Sequence, residues 1–303
     1  MIGCNCNAGL ANSGRPGCVP LFSIVSSMIL VPLTANDGTK NRIDLNAVLP
    51  VWDSLINNAD ASKRWFPLPP FENVEMPKAD SLFEEAASGK KAFLRQGVRS
   101  FAGELWAEDS TPTTLGKLQK SRCVDFGVFF VDVNGNLIGS EIDGFLYPIA
   151  VDNASWDPKF GFATDSTVQK IMLGFDLDRL FEESTMYQIT PDEAGIAFTS
   201  LTGLLDVNFS NESGALTFDA VTFDAKLSFG TALNKIIYGG AIALTDWTLE
   251  NVTAVSVIGN PTGVTEGPDG TYTLTFAAQA TGDVIKVKVS KNGYVGEANI
   301  TLP

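Results

Sequence analysis

A chain of 303 residues that is 45% hydrophobic and 18% charged has the apolar material for a packed core and the length of about two domains, which excludes a disordered polyelectrolyte. Its net charge of −14 and pI near 4.4 exclude long-range attraction to nucleic-acid phosphates. The chain contains no histidine, which excludes Ser-His-Asp and Cys-His catalysis and removes the commonest zinc ligand.

Residues 1–18 are rich in Gly, Asn and Cys and read as an irregular arm. Cys4, Cys6 and Cys18 are spaced C-x-C-x11-C, and the fourth cysteine is Cys123. C-x-C is tighter than the usual zinc-ligand spacing and lacks a fourth ligand, so reduced thiols near a surface terminus are favoured over a metal or disulfide staple. Val19 to Leu33 is too short for a membrane helix and lacks a basic leader, so it reads as a buried strand from about Ser23. Asn36-Asp37-Gly38 is a turn. A short helix is expected from about Pro50, with Trp52, Leu55 and Ile56 on one face. The prolines of Trp65 to Pro77 forbid a helix or a central strand, while Trp65, Phe66, Leu68 and Phe71 demand burial. A structured connector is expected there.

Asp80 to Gly89 reads as one or two helical turns, and Lys91 to Leu105 as a half-buried strand kinked at Gly97. Thr114 to Lys120 is a short helix. Val128 to Val133 is a β-branched and aromatic run, and Asn134-Gly135 predicts a type I′ turn into a return strand at Leu137. Tyr147 to Asp152 continues this sheet, and Trp156 and Phe160 fill a loop or strand edge. Thr167 to Asp178 alternates, with Val168, Ile171, Leu173 and Phe175 as core positions. After about Ile189 the chain becomes poor in Lys and Arg and rich in Thr, Gly, Val and Ala, with short strand-like runs separated by Gly, Asn and Asp turns. That is the pattern of a β-sandwich, and a boundary is expected within residues 190–205.

Three clusters invite a chemical reading. Asp132, Asn134 and Asn136 resemble part of a calcium loop, but Leu137 stands where an EF-hand needs Gly, so a plain hairpin turn is preferred. Asp176, Asp178, Glu182 and Glu183 pair carboxylates as a glycosidase does, yet a solvated acidic face fits them better. Lys90, Lys91, Arg95 and Arg99 are expected to partner acidic residues on neighbouring strands or subunits. No phosphate-binding glycine loop or nucleophile elbow occurs in the sequence. The reading therefore names no catalytic, cofactor-binding or metal-ligating residue, and the protein is expected not to be an enzyme.

Gly89 to Leu105, Leu115-Gly116-Lys117-Leu118, Cys123 to Asp152 and Asp165 to Asp178 resemble the core of major tail tube proteins of tailed phages, notably those of Bacteroidetes. The opening GCNCNAGLANSGRPGCVP is similar to the openings of such proteins. The resemblance implies a mainly β (α+β) fold: a tail-tube-like β-sandwich or barrel with short helices over residues 1–195. It also implies hexameric rings that stack into a DNA-ejection conduit, with the same protein, other tail proteins and passing DNA as partners. No specific DNA contact, cofactor or membrane insertion is implied. The location implied is the virion, after assembly in the bacterial host cytoplasm. Residues 196–303, with Thr245 to Leu249 and Gly270 to Leu274, resemble the immunoglobulin-like modules that decorate tails. The alternative is a tail-tip or surface adhesin whose Trp247, Tyr272 and Tyr294 stack on host glycans; as sandwich residues, these aromatics are expected to serve the core instead.

Overall fold

The computed structural model describes residues 22–58, 60–230, 235–291 and 293–303. The N-terminal arm with Cys4, Cys6 and Cys18 lies outside the described residues. The chain is mainly β, with 46% strand and 12% helix, as the alternating and β-branched runs require.

In chain order the first part contains β1 (Val25–Pro32), β2 (Ile43–Asp44), α1 (Trp52–Ile56), β3 (Phe66–Pro67), β4 (Glu72–Glu75), β5 (Leu82–Glu85), β6 (Lys91–Arg95) and β7 (Ser100–Trp106). There follow α2 (Pro112–Lys120), β8 (Phe126–Asp132), β9 (Leu137–Ile142), β10 (Phe145–Tyr147), β11 (Ile149–Ala150), β12 (Asp157–Gly161), β13 (Lys170–Asp176), β14 (Met186–Ile189) and α3 (Pro191–Ala194). One sheet runs β2-β10-β9-β8-β1-β3, with β11 also on β8 and β14 also on β9; a second runs β12-β13-β7-β4.

The first sheet is a central layer covered on both sides, which is why β8 reads as an unbroken apolar run rather than an alternating one. Val128 and Phe130 face the second sheet and meet Phe101, Leu105, Ile171, Leu173, Phe175 and Trp156. Phe129 and Val131 face the opposite way, toward Trp52, Ile56 and Trp65. β1 is buried between β8 and β3, as the strand reading of this segment expects. α1 starts just after Pro50 and buries Trp52 and Ile56. The proline-rich connector forms two edge strands, β3 on the first sheet and β4 on the second. It buries Trp65 and Phe71 while Phe66 stays exposed. Trp156 lies in the loop that enters edge strand β12, as expected, and is fully buried there, its indole donating to the Leu118 carbonyl at 2.7 Å. Val168 lies before β13 begins and is exposed, unlike Ile171, Leu173 and Phe175.

Two local expectations are corrected. The β8–β9 connection is not a type I′ turn. Only Gly135 has positive φ, at 80°, and its amide donates to the Asp132 carbonyl at 3.0 Å. Val133 and Asn134 thus form a right-handed turn, and Gly135 is the left-handed residue of a three-residue loop. Residues 80–89 are not helical: β5 and β6 form an antiparallel hairpin, with Phe83 opposite Phe93 and Glu85 opposite Lys91.

Residues 196–204 pack on the first part, where Phe198 is buried edge-on to Trp52 at 4.7 Å. The second part contains β15 (Leu205–Gly214), β16 (Ala220–Gly230), β17 (Lys235–Ile237), β18 (Trp247–Asn251), β19 (Ser256–Gly259), β20 (Gly263–Glu266), β21 (Thr271–Thr275), β22 (Val284–Lys291) and β23 (Tyr294–Thr301). One layer is β15-β16-β21-β20 and the other β19-β18-β22-β23. The start of β15 pairs in parallel with β23, and the rest pairs antiparallel with β16. A first strand shared between layers in this order is the immunoglobulin arrangement. All four cysteines lie before residue 124, so no disulfide joins the layers; the shared strand β15 and the packing of Phe223, Trp247, Tyr272 and Val287 do.

Candidate interaction surface

The structure disperses or saturates the groups that invite a chemical reading. Asp132 is fully buried, and its carboxylate accepts from the Asn134 amide (2.9 Å), the Asn136 amide (2.9 Å) and the Asn136 side-chain amide (2.7 Å). The Ser23 amide, just before β1, adds a longer bond at 3.4 Å, so the carboxylate is taken up by the turn and the neighbouring chain. Among the described residues, no group of three or more His, Cys, Asp or Glu side chains is placed to hold a metal ion. Cys123 is a free, exposed thiol.

The acidic cluster divides by role. Asp176 accepts from the Ser100 hydroxyl at 2.6 Å, and Asp178 accepts from the Leu180 amide at 2.6 Å. Glu183 meets Arg99 at 2.7 Å and Lys78 at 3.0 Å. Burial alone raises the Glu183 pKa, but the hydrogen bonds and charges of Lys78 and Arg99 outweigh that and hold it below the usual carboxylate value. Arg99 also donates to the Met76 carbonyl at 2.6 Å. The expected pairing of basic with acidic residues thus holds for Arg99, and for Lys91, which meets Glu85 at 3.5 Å. Lys90 and Arg95 form no ion pair among the described residues. Trp247 and Tyr272 are fully buried with ring centroids 5.1 Å apart, and neither offers a face to a sugar. Tyr294 is half-buried against Tyr238.

What the fold does present is the β5–β6 hairpin. It extends the β4–β7 ribbon beyond the second sheet. The extension runs through the Lys78–Arg99 bridge, the Ala79 amide bonded to the Val98 carbonyl at 2.9 Å, and the Ser100 amide bonded to the Pro77 carbonyl at 2.9 Å. Glu183, Lys78 and Arg99 clasp its base. A Cβ on Gly97 would stand 1.6 Å from the Ala79 carbonyl oxygen, so only glycine permits this approach. That is the physical cause of the expected kink, and it separates β6 from β7. The turn repeats the one after β8: the Ala86 amide bonds the Lys90 carbonyl, the Gly89 amide bonds the Ala86 carbonyl, and Gly89 has φ of 79°.

Every residue of β5 and β6 is exposed. Leu82, Phe83, Phe93 and Leu94 keep 48%, 53%, 60% and 53% of their surface in water. The two phenyl rings touch edge to face at 5.6 Å, and neither they nor Leu82 and Leu94 join a buried core cluster among the described residues. A two-stranded hairpin with no layer beneath it is marginal in water. Four large apolar side chains on such an element mark an interaction surface. Sequence reasoning missed it because Glu84-Glu85-Ala86-Ala87 are good helix formers. The signal that finds it is Ser88-Gly89 midway between the Leu82-Phe83 and Phe93-Leu94 pairs. No protein-family model, no curated protein and no solved structure matches this chain.

Proposed function

We propose that this protein is a non-enzymatic structural subunit that assembles with copies of itself into stacked rings, as the tail tube of a tailed phage. The single observation that carries the reading is the projecting hairpin with its uncovered phenylalanines and leucines. Fully burying a Phe or Leu side chain is worth about 1.5–3 kcal/mol. About half of each of the four remains to be gained, so the hairpin holds roughly 3–6 kcal/mol that only a partner can release. The immunoglobulin-type unit has its own closed core and stands as a decoration on the outside of the tube. The net charge of −14 lets DNA pass the bore without adhering.

The test is negative-stain microscopy of the purified full chain across a concentration series. Rings or tubes with a central channel are expected. A particle that stays monomeric at the highest soluble concentration would sink the proposal. The glycan-binding alternative draws less support, because two of its three aromatic residues are buried in the core.

A further inference from the structure

We infer that the hairpin is the lateral joint between neighbouring copies: the outer edge of β5 on one copy pairs with the outer edge of β6 on the next. This rests on the self-assembly reading above and names the contact that it leaves open. Among the described residues both outer edges are free, since β5 and β6 form a sheet of two strands alone. An unpaired edge is a template for another strand.

The charges choose the occupant. The β5 side carries Asp80, Glu84 and Glu85, and the β6 side carries Lys90, Lys91 and Arg95. Two β5 edges brought together would oppose carboxylates, and two β6 edges would oppose ammonium and guanidinium groups. Only β5 against β6 of another copy sets unlike charges opposite each other. The Glu85–Lys91 contact inside the hairpin at 3.5 Å already shows that pairing across one strand interval. The contact therefore joins two different edges, leaves one edge of each kind free on every pair, and repeats until it closes. Such a contact builds rings or helices rather than isolated dimers. Each added hairpin also lays its own side chains beside Phe83, Phe93 and Leu94 of the last.

The test uses two full-length variants, Glu84→Lys/Glu85→Lys and Lys91→Glu/Arg95→Glu. The first has two basic edges and the second two acidic edges. All four positions are exposed, so by circular dichroism both variants should melt only slightly below the wild type, the loss being the Glu85–Lys91 pair that each replaces with like charges. Neither alone should assemble at ten times the wild-type threshold by sedimentation, and an equal mixture should assemble. Assembly of either variant alone at the wild-type threshold would overturn the joint while leaving the tube reading standing. So would failure of the mixture. Failure of the wild type itself would overturn the tube reading. Hydrogen exchange on wild-type protein gives a reading that needs no variant. Amides of 82–85 and 91–95 should become protected on assembly, and unchanged exchange there would refute the joint.

Discussion

Asp132 is the residue at which a calcium loop and a hairpin turn make opposite predictions. Replacing it with alanine strips the acceptor from two buried donors, the Asn136 amide and the Asn136 side-chain amide, at 2.9 and 2.7 Å. A buried donor left without a partner costs about 1–3 kcal/mol. The Asn134 amide is only partly buried and turns to water at little cost. Removing a buried carboxylate returns part of the loss, so Asp132→Ala should cost about 3 kcal/mol. Asp132→Asn keeps an oxygen for the backbone amides, and a flip of the Asn136 side chain restores the third bond, so it should cost about 1 kcal/mol. Urea unfolding followed by tryptophan fluorescence measures both, because four of the five tryptophans lie between residues 52 and 156. A loss below about 1 kcal/mol for alanine would refute the argument that the carboxylate holds the turn. A calcium-dependent rise in Tm, absent from Asp132→Asn, would restore the metal reading.

Three further perturbations probe the hairpin and its base. Phe83→Ser/Phe93→Ser removes about 1.5–3 kcal/mol of burial available only on assembly, so the assembly threshold should rise roughly tenfold or more by sedimentation. The Tm of the dissociated chain should fall only slightly, by the worth of one ring pair; an unchanged threshold would show that the rings face solvent in the particle. Gly97→Ala drives a methyl into the Ala79 carbonyl and should cost about 1–3 kcal/mol, with faster amide exchange across 77–100; unaltered exchange there would contradict the close approach. Because Glu183 has a lowered pKa when folded, its ion pairs stabilise above the ordinary glutamate value and are lost as pH falls through the lowered one. Its side chain is a third exposed, so Glu183→Gln should cost about 1 kcal/mol at neutral pH and nothing in acid, and a cost independent of pH would exclude this linkage.

The parts of the fold visible in the sequence are those where one physical term dominates. β8 announces itself because both its faces are buried, so no polar residue interrupts Val128 to Val131. β13 does so because Ile171, Leu173 and Phe175 alternate toward one core. The turn after β8 was legible in place but not in type. Asn134-Gly135 suggests two positive φ angles, but the Asp132 carboxylate binds the amides of Asn134 and Asn136 and fixes a right-handed turn. The sandwich strand β20 leaves little trace in the sequence because Gly263 to Glu266 is a short, half-buried edge with little alternation to read. The candidate surface was hidden for the converse reason. β5 has no buried residue and no face turned to a core, so no periodic apolar pattern overrides the helical propensity of its glutamates and of the alanines that follow, and its shape is imposed by the β4–β7 ribbon from which it continues.

Charge sets the last expectation. Residues 80–95 carry three acidic and three basic side chains, so the hairpin is neutral and the net charge of −14 lies elsewhere on each copy. Two copies therefore repel through their bodies and attract through their hairpins. The repulsion acts over distance and is cut as the screening length falls from about 30 Å at 0.01 M salt to about 10 Å at 0.1 M. Ion pairs in contact, partly shielded from water, are screened much less over that range. Assembly should therefore improve from about 0.01 to 0.1 M salt, and weaken only toward about 1 M, where the screening length of about 3 Å reaches the pairs themselves. Light scattering against sodium chloride reads this directly. A threshold that worsens from the first addition of salt would mean that long-range attraction between unlike patches drives assembly, and that the neutral hairpin is not what brings the copies together.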